Sequence, residues 1–171
     1  MVDWTLTTVK ANEAWGPPIV LALAFAESLA FVSLLVPATV ILFALSALIG
    51  TAGLDFWPLW VAAAIGAILG DWVSFWIGQK FGPGIGKVWP LNRHPDLLPH
   101  GQALCDKWGM AGVFFGRFLG PLRAAVPLVA GICAMSAMRF QAANISSGLV
   151  WATGILAPGA FGFDWLLRAF H

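Results

Sequence analysis

The chain has 171 residues, of which 60% are hydrophobic and only 10% are charged, whereas roughly 25% are charged in an ordinary soluble domain. This length suits one domain, and this composition excludes water as the chain's main solvent. Nine Lys and Arg nearly balance eight Asp and Glu, so no nucleic-acid partner is expected. Cys105 and Cys133 are far apart in sequence, and the histidines lack metal-ligand spacing, so we predict no disulfide, no metal and no cofactor.

Stretches with few or no charged residues divide the chain into candidate membrane segments. Residues 56–79 and 140–163 each fit one spanning helix, for which about 20 apolar residues suffice. The apolar runs at 19–50 and 108–137 are too long for one span and too short for two spans with a loop. These two runs therefore require another arrangement.

Prolines and a glycine interrupt both long runs. Pro37 lies in the first run, and Gly120, Pro121 and Pro127 lie in the second. Proline removes a backbone donor and kinks or ends a helix, so we expect each run to form a re-entrant helical hairpin broken at these residues. The alternative is four ordinary spans, some of them kinked.

Each half of the chain thus consists of a broken hairpin followed by one transmembrane helix. This pattern predicts an all-α membrane protein with inverted-repeat architecture, in which residues 1–171 form a single domain. Residues 80–107 link the halves and contain four Lys and Arg against two Asp, so the positive-inside rule places this linker, with an interfacial helix, in the cytoplasm.

Four ionisable side chains lie inside the apolar runs, namely Glu27, Asp71, Arg117 and Arg123. Inserting such a side chain at the centre of a membrane helix costs about 2.5–3.5 kcal/mol, which favours a function for each of them. The alternatives are structural ion pairing, since the four charges sum to zero, and snorkelling to the interface.

The two arginines flank the interruption of the second run. A turn at Gly120 and Pro121 lets both guanidinium groups converge, with Arg123 in the first turn of a new helix. Two guanidinium groups at a helix N-terminus suit a phosphate or carboxylate, so we predict an amphiphilic ligand with an anionic head group.

The two acids and one amide complete the candidate site. Asp71 borders a ridge of small residues that recurs every four positions, so its side chain is expected to point into protein. Either Glu27 or Asp71 could couple transport to protons or balance the arginines. For Asn144, interhelical hydrogen bonding is the expected role. The ridge consists of Ala62, Gly66, Gly70, Ser74 and Gly78.

These residues resemble a known signature. The spacing of Arg117, Arg123, Pro127 and Ala130-Gly131 resembles that of the DedA (VTT-domain) family, and the likeness covers residues 20–155. Further matching positions are Glu27, Pro37, Gly70, Asp71, Phe75, Gly78, Gly82, Met135, Phe140, Asn144, Gly148 and Trp151.

The resemblance implies a multi-pass protein of the bacterial inner (plasma) membrane. Its expected function is that of a flippase for undecaprenyl phosphate or another anionic polyisoprenyl lipid or phospholipid, coupled to protons or sodium. By position, Arg117 and Arg123 would hold the phosphate, and Glu27 would be the membrane-embedded acid. The alternative is a proton- or cation-coupled ion transporter without a lipid substrate.

The sequence also departs from the family pattern. Thr39 stands where many members have an acid, which leaves Glu27 and Asp71 as the coupling candidates. The chain stops at His171 without a last span, so it is expected either to be a short member or to act as a homo-oligomer. An enzyme is not predicted, because neither a His–Asp nor a Ser–His set nor a paired acidic metal motif is present.

Overall fold

The computed structural model describes residues 13–29, 41–43, 46, 49, 54–82, 97–119 and 122–169. A 3₁₀ turn, Glu13–Trp15, precedes α1 (Gly16–Ser28), α2 (Phe56–Phe81), α3 (Leu97–Trp108), α4 (Met110–Gly116), α5 (Leu122–Ile132) and α6 (Ala137–Ala169). These ranges contain no strand, which confirms the all-α class. Pro37, Gly120, Pro121 and much of the first predicted hairpin, 19–50, lie outside the described residues.

The central element is α2, which contains the segment predicted at 56–79. Its 26 residues give a length of about 39 Å, more than the ~30 Å hydrocarbon core of a bilayer. In the described ranges it is the one helix whose length and composition suit a membrane crossing. The longer α6 contains the segment predicted at 140–163, but Asn144, Ser146 and Ser147 interrupt its apolar sequence.

The ridge of small residues on α2 is buried along its whole length, as predicted. A methyl group at Gly70 would come within 2.6 Å of the Phe25 carbonyl oxygen, so α1 lies directly on the first half of the ridge. On the second half, a methyl group at Gly78 would collide with the Leu128 carbonyl of α5. The helices α1 and α5 therefore follow one another along the same face of α2.

The last helix runs antiparallel to α2. The Trp60 indole donates to the Thr153 hydroxyl at 3.0 Å near one end. Near the other end, the rings of Phe75 and Phe140 stack with centroids 4.1 Å apart. The shorter helices fill the sides, because α3 packs on α5 and α4 packs on α6.

One face of α2 turns away from these contacts and is apolar. Its side chains are 38–70% exposed. Such a continuous exposed apolar surface suits hydrocarbon better than water. At the end of this face the Lys80 ammonium lies 4.8 Å from the Trp76 ring centroid, a pairing typical of the membrane interface. The exposed residues are Trp57, Val61, Ile65, Leu69, Trp72, Val73 and Trp76.

The end of α5 is closed by a hydrogen-bonded turn. The Met135 amide donates to the Ala130 carbonyl at 3.1 Å, and the Ala134 amide donates to the Gly131 carbonyl at 3.0 Å. Ala134 has a φ of +53°, the left-handed conformation that glycine usually supplies at such a helix end. These two hydrogen bonds hold Ala134 and Met135 in a defined position after α5 ends.

Candidate functional site

Four separate elements each contribute one charged side chain to a buried cluster. Glu27 lies in the last turn of α1, and Asp71 lies near the middle of α2. Arg117 directly follows α4, and Arg123 is the second residue of α5. Together these four side chains are called the charge cluster below. It lies where α1 ends and α5 begins along the ridge of α2.

The first pair of the charge cluster joins α2 to the end of α4. The Nη2 group of Arg117 donates to Oδ2 of Asp71 and, at 2.7 Å, to Oδ1 of Asn144. The side chains of Arg117 and Asp71 are only 4% and 11% exposed. Asn144 is held in turn, because its Nδ2 donates to the Ile68 carbonyl at 3.0 Å and to Oε1 of Gln141 at 3.1 Å. This network binds α2, α6 and the end of α4 together.

The second pair joins α1 to the first turn of α5. Nη1 of Arg123 donates to Oε1 of Glu27 at 2.7 Å. The guanidinium carbon also lies 5.2 Å from the centroid of the Trp151 ring, a cation–π geometry. Arg123 interacts electrostatically with Asp71 and Arg117 as well. The two ion pairs therefore act as one cluster of charges.

Arg117 keeps hydrogen-bonding capacity that these contacts do not use. Its Nε and Nη1 are buried and have no hydrogen-bond partner in the part of the chain that the structure describes. Gly148 of α6 lies directly beside this guanidinium group, since a methyl group there would come within 3.3 Å of Nη1 and 2.9 Å of the Ile68 side chain. A guanidinium group has five N–H donors in a planar fork, so Nε and Nη1 can donate to another anion in addition to the bonds that Nη2 makes to Asp71 and Asn144.

The four predicted ionisable side chains and the predicted amide thus lie close together, whereas one predicted helix break is wrong. Asp71, Arg117 and Asn144 form one hydrogen-bonded group and Glu27 with Arg123 forms a second, and charge interactions couple the two groups. The chain itself supplies the negative charges that balance both arginines, an alternative that the sequence left open.

The helix of the second apolar run continues through one of the residues at which a break was predicted. Pro127 was expected to break the helix there, but α5 continues through it. A proline cannot donate to the carbonyl four residues earlier, so α5 loses only the bond to the Arg123 carbonyl. The helices of this run are separated between Gly116, where α4 ends, and Leu122, where α5 begins, and the other two predicted breaks, Gly120 and Pro121, are outside the described residues.

Sequence reasoning assigned no role to Trp151 or Gln141. Trp151 follows Asn144 by seven residues, about two helical turns, so the helical period could have placed both on one face. Gln141 precedes Asn144 by one turn and gave a similar signal. In the described ranges no group of three or more His, Cys, Asp or Glu is placed to hold a metal ion.

Comparisons with known proteins identify the family to which this chain is similar. The family model described as the VTT domain matches residues 36–161. Inner membrane protein YabI of Escherichia coli K12 is 38% identical over 164 residues, which cover 88% of this chain and 65% of the relative. Uncharacterized membrane protein BU139 of Buchnera aphidicola subsp. Acyrthosiphon pisum is 30% identical over 159 residues, 93% of this chain and 62% of the relative.

A mycobacterial protein adds a match over a shorter stretch of the chain. Uncharacterized membrane protein Rv2637 of Mycobacterium tuberculosis H37Rv is 36% identical over 115 residues, 63% of this chain and 53% of the relative. The chain spans less than two thirds of the length of each of these three relatives. No solved structure matches the chain. The family model and the relatives agree, and the chain is a membrane protein that belongs to the VTT-domain (DedA) family.

Proposed function

We propose that this chain is a transporter, and not an enzyme, that flips an anionic lipid across the bacterial inner membrane. The substrate class is a polyisoprenyl phosphate such as undecaprenyl phosphate, or a phospholipid with a similar head group. The charge cluster carries this proposal, because two arginines whose side chains are only 4% and 14% exposed lie in an apolar protein at the ends of short helices. Burying charges this deeply is costly, and such residues usually mark a transport pathway.

Ligand binding proceeds by exchange of anions within the charge cluster. The lipid phosphate approaches Arg117 through its unused Nε and Nη1 donors, and then displaces the carboxylate of Asp71 from Nη2. Arg123 turns from Glu27 to the same phosphate. A carboxylate that loses its arginine in this environment is stabilised by taking up a proton, since an unpaired buried charge is costly. Lipid binding is thereby coupled to protons at Asp71 or Glu27.

We further propose that the short helices belong to re-entrant hairpins in an inverted repeat, at 19–50 and 108–137. Their lengths support this. The 13 residues of α1, 7 of α4 and 11 of α5 extend about 20, 10 and 17 Å, well below the ~30 Å hydrocarbon core. The pairing supports it as well, since α1 lies on α2 and α4 lies on α6. In each half the first limb of the hairpin contacts the spanning helix that follows.

A proteoliposome assay tests the lipid proposal. Vesicles hold the full chain and a fluorescent polyisoprenyl phosphate, and an impermeant quencher reports how fast the lipid changes leaflet. Arg117→Gln removes charge-assisted hydrogen bonds worth about 1.5–3 kcal/mol, so we expect flipping to slow by roughly 10- to 100-fold. The matched control is Arg139→Gln, since Arg139 is an exposed arginine on α6. Equal flipping rates for the two variants would refute the proposal.

A second candidate function, proton or cation transport without a lipid, rests on a different feature of the cluster. Each arginine already has a carboxylate partner within the chain, so no anionic ligand is needed for charge balance. Glu27 and Asp71 would then carry the ion. This candidate predicts proton or sodium flux in vesicles that lack polyisoprenyl phosphate, and loss of that flux in Glu27→Gln. Absence of flux in such vesicles removes it.

A further inference from the structure

The two cysteines, far apart in sequence, are neighbours in the fold. Cys105 lies in α3 and is 7% exposed, and Cys133 lies in the turn after α5. Both belong to one apolar cluster that also includes Phe140, and both line one cavity of about 560 Å³. The two side chains are close enough for Cys133 to raise the pKa of the Cys105 thiol. Sequence separation alone gave no sign of this contact.

We propose that Cys105 and Cys133 form a reversible disulfide, which joins the helix before α4 to the turn after α5. Cys105 precedes α4, and Cys133 directly follows α5. The segment between them therefore contains α4, α5 and both arginines of the charge cluster. A bond between the two sulfur atoms fastens α3 to the end of α5 and turns this segment into a covalent loop.

The backbone positions of both cysteines are well fixed, which favours one defined bond. The Cys133 amide donates to the Val129 carbonyl at 2.8 Å, and the Cys105 carbonyl accepts from the Gly109 amide at 2.8 Å. The sulfur atoms must approach to about 2.05 Å for the bond to form. The adjoining cavity gives the side chains space for this movement.

The environments of the two thiols assign their roles. Burial, together with the neighbouring Cys133 and Asp106, raises the pKa of the Cys105 thiol to about 12, so this thiol stays protonated at neutral pH. Cys133 is less buried and is the attacking thiol. Cys105 then resolves the intermediate. The two thiols consequently react slowly, and they remain reduced unless a thiol oxidant is abundant.

The oxidant is the disulfide of a low-molecular-weight thiol, and the reaction balances without another reagent. The Cys133 sulfur attacks this disulfide, forms a mixed disulfide and releases one small thiol. The Cys105 sulfur then attacks the Cys133 sulfur and displaces the second small thiol. The hydrogens of the two cysteines end on the two released thiols. Excess small thiol reverses both steps, so the redox state of the small thiol controls whether α3 and the end of α5 are covalently joined.

The experiment uses the full chain in nanodiscs, incubated with oxidised glutathione at mildly alkaline pH. Free thiols are then counted with a maleimide-linked polymer after denaturation, and the intact mass is measured. We expect no free thiol, no attached glutathione, a mass lower by two hydrogen atoms, and a higher melting temperature because a long loop is closed.

Two serine variants separate the roles, and each changes only one sulfur to oxygen. Cys105→Ser should keep glutathione on Cys133, because no resolving thiol remains, whereas Cys133→Ser should leave Cys105 unmodified. A wild-type protein that retains glutathione on Cys133, that keeps both thiols free, or that links only to a second copy would overturn the proposal.

Discussion

Removal of Asp71 tests whether the charge cluster behaves as a compensated buried network. In Asp71→Asn the Arg117 guanidinium keeps its charge but loses its anionic partner, while its side chain remains 96% buried given the 4% exposure in the structure. The positive charge of Arg123 acts on the same site and increases the penalty. We therefore expect this variant to be strongly destabilised although its side chain is nearly isosteric.

The magnitude follows from the burial of both partners. Breaking a buried ion pair by removing one partner costs about 3–5 kcal/mol. The new amide still offers an oxygen to Nη2, and Asn144 still accepts from it, so the lower end, about 3 kcal/mol, applies. Arg117→Gln should cost a similar amount because it leaves Asp71 unpaired. The double variant holds no uncompensated charge, so it should be about 3 kcal/mol more stable than the sum of the singles predicts.

Equilibrium unfolding in mixed micelles, followed by far-ultraviolet circular dichroism, measures all three variants. Arg139→Gln serves as the control, because this exposed arginine should change stability by no more than about 0.5 kcal/mol. Additivity of the two single changes within error would mean that Asp71 and Arg117 do not depend on each other. The account of the charge cluster would then be wrong.

Three further outcomes follow from local geometry. Gly78→Ala places a methyl group against the Leu128 carbonyl and should cost about 1–3 kcal/mol in the same unfolding assay, whereas Gly154→Ala meets nothing within 4 Å and should be neutral or stabilising; equal effects would contradict the close packing. Ala134→Gly should stabilise by about 0.5–1 kcal/mol, since glycine adopts the positive φ without strain, and a lower melting temperature would contradict this. The rate of Cys105 alkylation should rise about tenfold per pH unit from pH 8 to 10 without levelling off, because the pKa of this thiol is raised in the folded protein. The free energy of unfolding should fall above about pH 9, because the thiol ionises in the unfolded chain before it ionises in the folded one. A plateau of the alkylation rate near pH 9 would contradict the burial of Cys105.

Composition and periodicity were sufficient to predict the helices that set the frame. The apolar stretch 56–79, whose one charged residue is Asp71, lies within α2, and the spacing of small residues identified the face on which α1 and α5 pack. Both signals arise within one helix, where the period of 3.6 residues fixes which side chains share a face. They require no knowledge of the rest of the fold.

The partners in the charge cluster were beyond the reach of the sequence for a physical reason. Four charges that sum to zero predict that ion pairs form. Helix packing, however, determines that Arg117 pairs with Asp71 and that Arg123 pairs with Glu27. The contact between Cys105 and Cys133 has the same origin, since it depends on how α3 meets the end of α5. At Pro127 a local signal gave a wrong prediction. The proline suggested a helix break, but a helix that packs against its neighbours tolerates one missing hydrogen bond.

The central claim is that Arg117 and Arg123 exchange their carboxylate partners for the phosphate of a lipid. A structure of the full chain in nanodiscs with a polyisoprenyl phosphate tests this most directly. The account predicts a phosphate bound by both guanidinium groups, with Asp71 and Glu27 moved out of contact with them. A head group bound elsewhere, with both ion pairs intact as they are now, would contradict it.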